Sequence, residues 1–120
     1  MAMTAPTLDD LVRDLRALVP ELKARGVTRL AVFGSRARGD HRPDSDLDVL
    51  LEVDEAAEFG VFAFASLSEF LSDVIGVSVR LIFASDASPD FLARIADDVI
   101  EIFDEGDMAR QARAYARSHR

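Results

Sequence analysis

Two aspartates, Asp46 and Asp48, stand two positions apart at the head of an apolar run, and ten residues separate Asp46 from a Gly34-Ser35 pair that closes another apolar run. In a strand, residues two apart share a face, with backbone positions about 6.6 Å apart at the usual rise. Two carboxylates so placed can share one divalent cation. Hard oxygen ligands in this number suit Mg²⁺, which takes one or two protein carboxylates and completes its octahedron with water and substrate phosphates. Aspartate is disfavoured inside strands, and two like charges on one face repel unless a cation or a base lies between them. The Gly34-Ser35 turn offers a place where a helical turn or a nest of backbone N–H groups can begin, which favours phosphate oxygens. Arg36, Arg38 and Arg42 follow in the same loop as supporting phosphate ligands, because a guanidinium grips phosphate in bidentate fashion. His41 lies among them, and a lone loop histidine is expected to be a bystander.

The elements that must position these residues follow from periodicity. Thr7 with Asp10 three residues later is a capping-box start, and Leu8, Leu11, Val12, Leu15, Leu18, Val19 and Leu22 then recur at helical spacing, with Pro20 expected to kink or divide the helix and Gly26 to close it. Residues 28–33 are expected to form a first strand and 46–53 a second, in which Leu47, Val49, Leu51 and Val53 face the core and the opposite face begins with the site. Phe59, Phe62, Leu67, Phe70, Leu71 and Val74 mark a helix over about 58–75, ended by Gly76. A third strand is expected over 77–83, a helix from Ser88-Pro89 to about Asp98, and a short edge strand at 100–103. This order predicts a small α/β (α+β) domain, a mixed sheet flanked by helices, over residues 1–107. Residues 108–120 are expected to form a basic tail or helix, which if helical would put Arg110, Arg113, Arg117 and Arg120 on one face, suited either to solvent or to an acidic partner.

At 120 residues the chain is expected to be one domain with no room for a second substrate-binding domain. The acceptor of any reaction would then be presented by another protein. No apolar run approaches the roughly 20 residues of a membrane span, and no secretory signal is visible. With no cysteine there is neither a disulfide framework nor a thiolate zinc site, which fits a cytoplasmic location. A net charge of −8 argues against extended nucleic-acid binding, and the arginine loop stands out against it as a local positive patch.

The Phe-Gly-Ser-Arg-Ala-Arg-Gly run, the spacer and the Pro43-Asp44-Ser45 before Asp46-Leu47-Asp48 make residues 8–104 resemble a minimal nucleotidyltransferase of the DNA polymerase β superfamily. The resemblance implies a polymerase-β-like fold and a Mg²⁺-dependent transfer of a nucleotidyl group, AMP from ATP, to a hydroxyl. Asp46 and Asp48 would be the catalytic and metal-binding carboxylates, and Gly34, Ser35, Arg36, Arg38 and Arg42 the nucleotide-binding residues. Relatives of this size pair with HEPN-type toxins, so it further implies an antitoxin that adenylylates a toxin tyrosine. One position departs from the family pattern: Arg80, in Val79-Arg80-Leu81-Ile82, stands where a third carboxylate is expected. A cation about 5 Å from a divalent ion would repel it by about 6 kcal/mol at an effective dielectric of 20. Arg80 thus opens a second expectation, an antitoxin with impaired catalysis that neutralises by contact alone. The alternative is a register one residue off, which would turn Arg80 to the opposite face.

Overall fold

The computed structural model describes residues 5–106. The chain begins with helix α1 (Leu8–Ala17), whose first turn is held by the reciprocal pair in which Asp10 N donates to Thr7 Oγ1 and Thr7 N to Asp10 Oδ2. Pro20 divides the apolar stripe as expected, because its ring fits only the first turn of a helix. It sits at the start of α2 (Val19–Ala24), and the chain then enters strand β1 (Val27–Phe33).

A short helix α3 (Ser35–Arg38) and a loop lead to β2 (Leu47–Val53), α4 (Val61–Ile75), β3 (Val79–Phe83), a 3₁₀ turn at Ala84–Asp86, α5 (Pro89–Ile95) and β4 (Ile100–Asp104). The sheet order is β3-β2-β1-β4, antiparallel except for the parallel pair of β2 and β3, whose crossover is α4. The mixed sheet with flanking helices agrees with the expected fold class. Strand β4 lies at an edge, as the short run at 100–103 predicts.

Two apolar layers cover the sheet. On one side Leu11, Leu15 and Leu22 of the first two helices and Leu67, Leu71 and Ile75 of α4 pack on Leu30, Val32, Leu47, Val49 and Leu51. On the other, Ile95 of α5 packs with Ala31, Phe33 and Leu50, and the Phe33 and Phe91 rings meet edge to face at 5.7 Å. The second face of β2 is therefore divided. Asp48 opens it at the site end, and Leu50, two residues on, belongs to a small core of its own.

Several expected boundaries move for physical reasons. Helix α4 starts at Val61 rather than near 58, because Gly60 caps it and Phe59 instead packs edge to face on Phe83. Phe62 is not a core residue: it is 90% exposed, since the inward stripe runs through Leu67, Leu71 and Ile75. Gly76 ends the helix in the left-handed conformation (φ 79°) that glycine adopts without steric penalty. Strand β3 begins two residues later than expected, where Val79 N donates to Ser72 Oγ and so ties strand to helix. Helix α5 stops at Ile95, short of Asp98. Arg110, Arg113, Arg117 and Arg120 lie outside the described residues.

Candidate active site

The site is built where β1 ends and β2 begins, on adjacent antiparallel strands. Register places Phe33 opposite Asp48, so the residue after Phe33 meets the Asp48 side chain. That residue is Gly34, with φ 81° and ψ −158°. A Cβ at this position would lie 2.3 Å from Asp48 Oδ2, far inside contact distance. Glycine is required here twice over, for a backbone that L side chains rarely adopt and for the room that the carboxylate occupies.

Ser35 opens α3, and Gly39 ends it in the left-handed region. The loop that follows is pinned from inside by Arg36. Its guanidinium, 5% exposed, donates from Nε to Ser45 O at 2.8 Å and from Nη2 to Pro43 O at 3.3 Å. A guanidinium so buried and bonded to two loop carbonyls braces the loop ahead of Asp46. Arg38, in contrast, is exposed and bridges two carboxylates, with Nε 3.0 Å from Asp40 and Nη1 2.9 Å from Asp98. Those two partners push its already high pKa further up. Arg42 is exposed, and its backbone N–H donates to Ser45 Oγ at 2.9 Å. His41 is exposed too.

Asp46 stands one residue ahead of β2 and is exposed, so the strand-face argument reaches only Asp48. The two are nonetheless close enough for the Asp46 charge to push the Asp48 pKa upward. The largest cause of that upward shift is burial, the Asp48 side chain being 17% exposed, and nearby Arg80 and Arg38 act against it. The parallel register puts Arg80, which stands at the position expected of a third carboxylate, directly beside Asp48. Its Nε lies 3.0 Å from Asp48 Oδ1, which excludes the one-residue slip.

Asp48 and Asp46 are two hard oxygen donors close to one another, and the missing Cβ of Gly34 leaves the space that Asp48 Oδ2 occupies. This donor set fits one divalent cation of the Mg²⁺ class. Among the described residues no group of three or more histidine, cysteine, aspartate or glutamate side chains is arranged to hold a metal.

Residues 12–105 match the family model described as a nucleotidyltransferase domain. This chain belongs to that family. A protein adenylyltransferase, MntA, of Thermococcus cleftensis is 31% identical over 101 residues, covering 83% of this nucleotidyltransferase and the whole of the relative. A solved structure described as a candidate minimal nucleotidyltransferase superposes with a TM-score of 0.68 at 28% identity, over 82% of this chain and 98% of its own. A chain from the complex of a tri-AMPylated HEPN toxin with an MNT antitoxin of Shewanella oneidensis superposes with a TM-score of 0.57 at 13% identity, over 90% of this chain and 93% of its own. At that identity the last comparison shows a shared fold alone. The nucleotidyltransferase is thus a minimal member with a polymerase-β-like fold.

Proposed function

We propose that this nucleotidyltransferase transfers AMP from ATP to a hydroxyl of a partner protein, and that the partner is a HEPN-type toxin for which it serves as antitoxin. The observation that carries the reading is the placement of Gly34 against Asp48, since only glycine leaves room there for a half-buried carboxylate, and that carboxylate is set beside the Ser35 turn and Asp46. The adenylyltransferase relative and the toxin–antitoxin fold neighbour support the acceptor class.

In this reading the α3 turn and Arg42 receive the β- and γ-phosphates, with Arg38 joining them when the phosphates displace Asp40 or Asp98. Asp46 and Asp48 would hold Mg²⁺, which when bound neutralises charge on the triphosphate and orients it. The acceptor oxygen forms its bond to the α-phosphorus as the bond to the leaving pyrophosphate breaks, and the hydroxyl proton leaves to solvent at the open mouth beside Asp46. Arg36 supplies rigidity, keeping the loop between the arginines and the aspartates in one shape.

Incubation with labelled ATP, Mg²⁺ and a HEPN-type toxin checks the reading. Label is expected on the toxin with the wild type, and an Asp46→Asn, Asp48→Asn double variant is expected to lose at least 10²-fold in rate while still folding. Label transfer that survives the double variant would refute the assignment. Toxin neutralised without any label would instead favour the contact antitoxin, the reading that the Arg80 departure supports.

A further inference from the structure

We infer that Arg80 takes the place of a second metal ion: the site binds one divalent cation per nucleotide, and the Arg80 guanidinium supplies the second positive charge directly to a phosphoryl oxygen of the bound triphosphate. This rests on the nucleotide-binding reading above and adds to it which group neutralises which charge. Three observations carry it. The two Asp48 oxygens are divided between different neighbours, Oδ1 lying 3.0 Å from Arg80 Nε and Oδ2 against Gly34. A carboxylate with one oxygen committed to a guanidinium cannot bridge two ions.

The second observation is composition around the site, where no third carboxylate or other metal-ligating side chain joins Asp46 and Asp48 among the described residues. The third is exposure. Arg80 is 60% exposed, and Asp48 is the only side chain with which it forms an ion pair among the described residues. A guanidinium has five N–H donors in a fixed fork, so the bond from Nε to Asp48 leaves four for a ligand. Anchored by that bond beside the cation-binding carboxylates, Arg80 is preorganised for an anion that arrives with the metal.

A guanidinium differs from a second metal in a way that can be measured, because it is permanently present and covalently fixed. Counting bound Mn²⁺ by electron paramagnetic resonance, at saturating non-hydrolysable ATP analogue, should give one ion per chain for the wild type and for Arg80→Lys. Arg80→Asp, which restores a third carboxylate, should bind two. Arg80→Gln, neutral and exposed on its strand, should still bind one ion and hold the analogue about tenfold to a hundredfold more weakly, the range expected for loss of a charge-assisted hydrogen bond. Two ions in the wild type would overturn the inference. So would unchanged or tighter binding of the analogue by Arg80→Gln, which would make Arg80 a counter-ion that the metal simply displaces. Both of those results leave the nucleotide site standing, whereas a wild type that binds neither Mn²⁺ nor the analogue removes the nucleotide-binding reading itself.

Discussion

Asp48 is a half-buried acid whose ionised form its surroundings disfavour. Burial and the Asp46 charge raise its pKa above the ordinary 3.8, and Arg80 and Arg38 do not fully offset them. In the window between the ordinary and the raised value the native state binds more protons than the unfolded chain. Stability from this group is therefore fully present at low pH and is lost as pH rises through the raised folded value. Asp48→Asn removes that loss, and Arg80, being largely solvated, tolerates a neutral partner. In EDTA at pH 7 the variant should melt at or above the wild-type temperature, and the gap should shrink as pH falls below the ordinary carboxylate value. With Mg²⁺ and ATP present the order should reverse, since only the wild type gains binding energy in its native state. A variant less stable than wild type in EDTA across the whole range would contradict this account. At this scale the spacing brought Gly34 and Asp48 together as neighbours on adjacent strands, whereas the strand-face argument did not reach Asp46, which lies one residue ahead of β2. The sequence was silent on Arg36, because whether a loop arginine turns inward depends on where the carbonyls of Pro43 and Ser45 come to rest, which no spacing rule states.

Helix α4 shows what periodicity can and cannot say about an element. Its close was marked by residue type, at Gly76, while its start lay three residues later than expected, and the aromatic residues misled about its inward face, since Phe62 fits an apolar stripe on paper and points away from the core. The distinction is one of neighbours: Leu67 and Leu71 pack in the core with Leu47, Val49 and Leu51 of β2 and Leu81 of β3, while Phe62 stands in solvent. Leu67→Ala should accordingly cost about 2–5 kcal/mol of folding stability, through lost transfer energy and an unfilled cavity. Phe62→Ser should change it by no more than about 0.5 kcal/mol. Urea denaturation of both variants measures the difference, and comparable losses would mean that the helix is rotated from the orientation described here. Strand pairing was similarly half legible. Alternation identified β2, but only the assembled sheet reveals that Arg29 of β1 reaches Glu52 across one strand gap, with Nη1 3.1 Å from Oε2, and Glu101 and Asp104 across the other. Glu101 and then Glu52 raise the Arg29 pKa against the effect of burial, and the pairing of the three carboxylates with one cation joins β2, β1 and β4 at the end of the sheet away from Asp48.

At the scale of the whole molecule the proposed transfer to a partner protein raises the question of how an acidic protein finds that partner. The charge of −8 is spread over the chain, whereas the last eleven residues carry Arg110, Arg113, Arg117 and Arg120 and no aspartate or glutamate. These four lie outside the described residues, so their contribution rests on charge alone. Exposed like charges act on encounter more than on final affinity, since they steer approach over a Debye length of about 8 Å at physiological ionic strength and are screened by added salt. If the tail steers association with an acidic face of the partner, replacing Arg110, Arg113 and Arg117 by serine should lower the association rate about threefold to tenfold at low salt. The dissociation rate should change little, and the difference between variant and wild type should vanish as ionic strength rises. Stopped-flow mixing with a HEPN-type toxin at several salt concentrations separates these quantities. An association rate and a salt slope identical to those of the wild type would mean that the four arginines are solvated charges at the chain end, and that encounter is governed by the folded domain, where Arg42 and Arg80 bring the exposed positive charge to the site.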